Sequence, residues 1–78
     1  MIRIAVKTKQ KPDQVIEKAV QYFEKELGLK LTDLQKCCAY FEGGGGHVKV
    51  TLVQNDSTEV EVESREWEQQ AKEFVKKF

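Results

Sequence analysis

At 78 residues the chain has room for one hydrophobic core and none for a second, so residues 1–78 read as a single domain. Hydrophobic residues make up 40% and charged residues 33%, a supply of Val, Ile, Leu and Phe that a disordered chain lacks. Thirteen Lys or Arg balance thirteen Asp or Glu, so no net positive field favours nucleic acid or an anionic membrane.

The charge is mildly polar along the chain, with seven bases and four acids through Lys30 and six and nine after it. No apolar stretch approaches the roughly 20 residues that span a bilayer, and the first residues lack the apolar core of a signal peptide. A soluble, cytoplasmic protein is the expectation. Cys37 and Cys38 are adjacent. A vicinal bridge closes a strained ring and joins nothing distant, so reduced thiols are expected.

In chain order, Ile2, Ile4 and Val6 alternate with Arg3 and Lys7, the pattern of a half-buried strand. Pro12 supplies the backbone angle favoured at a first helical position, and Asp13 complements the positive end of the helix dipole. Val15, Ile16, Ala19, Val20, Phe23 and Leu27 then recur at three- and four-residue intervals, up to a Gly28 suited to a left-handed cap. The spacing predicts a helix over 12–27.

Leu29, Leu31 and Leu34 fit neither period, and Thr32 with Asp33 suggests a turn, so residues 29–36 read as irregular. Cys37 to Phe41 and His47 to Val53 are strand-compatible and flank the run Gly43, Gly44, Gly45, Gly46, which predicts a hairpin with a flexible glycine loop. Beyond the turn signal Asn55, Asp56 and Ser57, Val60 and Val62 alternate with Glu59, Glu61 and Glu63. Ser64 is placed to cap a final helix whose apolar stripe is Trp67, Ala71, Phe74, Val75 and Phe78.

The order β-α-β-β-β-α predicts an α+β fold: a two-layer sandwich of a four-stranded, mainly antiparallel sheet with two helices on one face. The other face is expected to carry Arg3, Ala5, Lys7, Lys49, Thr51, Val53, Glu59, Glu61 and Glu63, with Lys and Glu neighbouring across strands.

Few residues carry chemistry. The glycine run precedes a strand rather than a helix and lacks the Gly-Lys-Ser or Gly-Lys-Thr of a phosphate loop. Cys37, Cys38 and His47 are the only soft ligands, fewer than a structural zinc site needs, so no metal is predicted, and no cofactor. A cysteine with His47 as its base across the hairpin forms the one candidate nucleophile pair. Glu59, Glu61 and Glu63 read as a solvated strand face, since nothing apolar beside them separates their pKa values. A sheet that reads nucleic acid shows aromatics and bases on its open face, where this one carries three glutamates.

From Tyr40 to Phe78 the layout of a Gly-rich hairpin, alternating strands and a closing amphipathic helix resembles the end of a helix-grip domain of the START and Bet v1-like family. The likeness rests on Phe41 to Gly46, Val48 to Leu52, Val60 to Val62 and Trp67 to Phe78. It implies either a small hydrophobic ligand or a scaffold that has lost the pocket, and it transfers no functional residue.

The reading is therefore a non-enzymatic binding or protein-interaction module. An apolar ligand site between sheet and helices would draw on Tyr40, Phe41, Trp67 and Phe74. A homodimer or another protein is the expected partner, because the outer strands of the sheet leave unpaired edges. The competing class is a thiol-dependent enzyme or redox protein using Cys37 or Cys38 with His47.

Overall fold

A computed structural model describes all 78 residues, Met1 to Phe78. Strand β1 (Ile2–Thr8) leads to helix α1 (Pro12–Ala19), which continues into a π-helical segment (Val20–Glu26). Four strands follow, β2 (Lys30–Leu34), β3 (Cys38–Gly43), β4 (Gly46–Gln54) and β5 (Thr58–Arg65), and helix α2 (Glu68–Val75) closes the chain. The strands form one sheet in the order β1-β5-β4-β3-β2, and every neighbouring pair is antiparallel. No helix is long and apolar enough to cross a membrane.

The α+β class matches the expectation, but the sheet has five strands rather than four. Residues 30–34, read as irregular, form β2. The pairing of β2 with β3 slips between Leu31 and Asp33, leaving Thr32 as an extra residue. That bulge puts Leu31 opposite Phe41 and Leu34 opposite Ala39, three residues apart on the same face. A period of two cannot find such a strand.

The first helix starts as expected. Pro12 stands in its first turn, and the Gln14 side-chain oxygen accepts a hydrogen bond from the Lys11 N–H. Val15, Ala19 and Phe23 are fully buried and lie four residues apart. Each such step gains about 40° around an α-helix and would carry the stripe off the sheet. From Val20 the wider π turn takes over, with the Leu27 N–H donating to the Tyr22 carbonyl oxygen. A four-residue step there falls short of a full turn, so the drift reverses and Phe23 stays over the sheet. Gly28, at φ 78°, ends the segment.

The inward side chains of the sheet, Ala39, Phe41, Val48, Val50, Leu52, Val60 and Val62, join Val15, Ala19, Phe23, Leu29, Ala71 and Phe74 in one buried cluster. Helix α1 lies against β3 and β4, and α2 against β5 and β1. The interior is aromatic at its centre: Phe23 meets Phe41 at 5.4 Å and Phe74 at 5.1 Å between ring centroids.

Ser64 does not cap the last helix. Strand β5 runs on to Arg65, and its inward residues Thr58, Val60, Val62 and Ser64 alternate without a break. Ser64 is therefore buried between Ile2 and Val48, and its hydroxyl has no hydrogen-bond partner. Glu66, at φ 70°, turns the chain out of the sheet, and α2 begins at Glu68.

Candidate functional site

The four aromatic residues expected to line a ligand site occupy three separate places. Phe41 and Phe74 are fully buried and packed in the aromatic centre. Trp67 lies over the β3–β4 turn, where its indole N–H donates to the Gly43 carbonyl oxygen at 2.8 Å. Tyr40 points the opposite way from Phe41, onto the uncovered face, and stacks on His47 at 5.8 Å between ring centroids.

The glycine run is divided between strand and turn. Gly43 and Gly46 pair as the last rung of the hairpin, leaving Gly44 and Gly45 to turn at φ 57° and 81°. Two successive positive φ values are the mark of a type I′ turn, whose twist matches that of the strands it joins. At Gly44 a Cβ atom would sit 3.0 Å from the Trp67 ring, and at Gly46 it would collide with the Arg65 carbonyl.

Cys37 and Cys38 are joined in a vicinal disulfide, against the expectation of reduced thiols. The reason is local. Cys37 belongs to the β2–β3 turn, where Gln35 and Cys38 exchange both backbone hydrogen bonds, and only Cys38 is a strand residue. The opposed orientation of strand neighbours therefore does not keep the sulfurs apart. His47 is not beside them: Cys38 pairs with Thr51, four residues along β4 from His47, roughly 14 Å at about 3.4 Å per residue. No group of three or more His, Cys, Asp or Glu side chains converges as a metal site.

What the fold does assemble is the uncovered face. The register sets Glu63 between Arg3 and Lys49, Glu61 between Ala5 and Thr51, and Glu59 between Lys7 and Val53, with Tyr40 beyond Lys49. The nine residues expected on this face are all there. Arg3 donates to Glu63 at 2.7 Å and approaches Glu61 at 3.5 Å. His47 Nε2 stands 3.8 Å from the other Glu63 oxygen. The Arg3 hydrogen bond holds the Glu63 carboxyl below the usual carboxylate range, with the charges of Arg3, His47 and Lys49 adding to the effect against some desolvation. Arg3 is raised in turn, chiefly by the same hydrogen bond.

Beside this row, Asp33, Gln35, Cys38, Tyr40 and Lys49 line a hollow of about 240 Å³. A carboxylate, an ammonium group and a phenol at one hollow suit a polar side chain of a partner better than an apolar ligand. Sequence reasoning missed the hollow, because Asp33 reaches the face only through the bulge in β2.

Comparison with models of protein families, with curated proteins and with solved structures gives no match.

Proposed function

We propose that this chain is a non-enzymatic protein-interaction module that docks a folded partner of mixed surface charge on its uncovered sheet face. The observation that carries the reading is the face itself, one whole side of a five-stranded sheet with no helix over it. Its charges pair across strands, so it is close to neutral and offers alternating sign rather than one polarity. Such a surface discriminates partners by the register of charges. The Tyr40 and His47 stack and the half-exposed Val53 supply apolar area among them.

The alternative form of the binding reading places a small apolar ligand between sheet and helices. That requires Phe23 to part from Phe41 and Phe74, since all three rings are fully buried and Phe23 packs against both of the others. The helix-grip likeness is compatible with a scaffold whose interior is filled by its own rings.

A photoreactive amino acid placed at Thr51 or Val53 in cells that make the protein tests the docking face. The same group at Gln14 and Gln21, on the exposed side of the first helix, serves as control. Adducts from the face positions alone, competed by the unlabelled chain but not by its Glu59→Lys/Glu61→Lys variant, support the proposal. Equal labelling from both sides, or none from the face, overturns it.

A further inference from the structure

The outermost strands, β1 and β2, differ in what each presents to a second copy of the chain. Two copies related by a two-fold axis perpendicular to the sheet pair their edges antiparallel and keep both helix layers on one side. On β1, the register that overlaps the whole strand sets Arg3 opposite the partner's Lys7. Like charges directly opposite destabilise a pair, so β1 disfavours its own copy in that register.

On β2 the same two-fold axis, with the register moved one residue from whole-strand overlap, has the opposite result. Lys30 and Asp33 pair with Glu42 and Tyr40 on β3, so both stand on the uncovered face, although they are an odd number of residues apart. The bulge between them makes this so. A register with Lys30 opposite the partner's Asp33 gives, by symmetry, two cross-strand pairs of opposite charge. It also brings Leu34, 53% exposed, to the helix side of the seam near the partner's Leu29, which is itself buried. Neither charge is spent within its own chain: Lys30 makes no ion pair, and Asp33 accepts only a hydrogen bond from the Gln35 side chain.

We infer that β2 is a self-pairing edge through which two copies join their sheets into one continuous ten-stranded sheet. The inference goes beyond the docking face, from which such a dimer takes only the β2 margin at Lys30 and Asp33 and leaves the rows on β1, β5 and β4 free. A five-residue strand makes a short seam, so association belongs to the high micromolar range or weaker.

Sedimentation equilibrium on the full chain, from micromolar to millimolar concentration, tests the seam with two charge reversals. The wild-type chain self-associates. Lys30→Asp and Asp33→Lys, each confirmed as folded by circular dichroism, weaken self-association about tenfold or more, because every pair becomes like-charged. An equimolar mixture of the two variants restores association, since each then meets its complement, and so does the double variant with itself. A wild-type chain that stays monomeric throughout overturns the inference. So does a dimer indifferent to either reversal, or a mixture that fails to recover. Any of these leaves the docking face untouched, because that surface is tested separately at Thr51.

Discussion

The indole of Trp67 holds the glycine hairpin at two points, with its N–H on the Gly43 carbonyl and its ring over the space that a Cβ at Gly44 would fill. Trp67→Phe keeps much of the ring contact and loses the hydrogen bond. It should cost about 1 kcal/mol, read as a lower urea midpoint with an unchanged slope. Ser64 acts in the other direction. Its buried hydroxyl has no partner, so Ser64→Ala removes an unmet desolvation cost and should raise stability by about 1 kcal/mol. Glu63 contributes to the acid limb. Its folded pKa lies below the unfolded value, so its contribution is present above the unfolded pKa and is lost as pH falls through the folded one. From about pH 5 downward, the wild-type chain should therefore lose stability more steeply than Glu63→Gln. Parallel pH profiles of the two urea midpoints would disprove the role of the Arg3 bond.

Among the elements, the regular ones were legible and the interrupted ones were not. Strands β1, β4 and β5 could be read from strict alternation, and Pro12 and Gly28 marked the ends of the first helix. The π turn left no trace in the pattern, because residues four apart serve either helix type. Strand β2 was hidden by its bulge, and the end of β5 by a serine whose capping preference yields here to the pairing of a continuous strand. The candidate site divides the same way. Its charged rows follow from alternation, whereas the hollow at Asp33 depends on the bulge and the Cys37–Cys38 bond on a turn. The glycine turn offers a direct test of element geometry. Gly45 has open space where a Cβ would go, so Gly45→Ala carries only the cost of φ 81°, about 1 kcal/mol. Gly45→Asn, which tolerates that region better, should cost less. Equal losses in thermal melts of the two variants would mean that the turn relaxes out of its type I′ form.

For the molecule as a whole, one set of rings decides both stability and the kind of ligand the fold admits. A chain of this size is held by about 4–12 kcal/mol, taking about 0.05–0.15 kcal/mol per residue. Phe74 touches Phe23, Tyr22 and Phe78, one ring on each of several sides, and is fully buried. Phe74→Ala removes that ring from the centre and should cost about 3–5 kcal/mol, enough to unfold much of the population if total stability lies at the low end. Phe74→Leu retains most of the volume and should remain folded, at a cost nearer 1.5 kcal/mol. Chemical denaturation followed by circular dichroism separates the two. If Phe74→Ala instead remained as stable as the wild-type chain, the helices would not be sealing the sheet. An apolar ligand between them would then become the better account of the fold, because the space could open without loss. A large loss for alanine with a small one for leucine means that the chain fills its own interior, which favours the proposed docking face and β2 seam over an apolar ligand site.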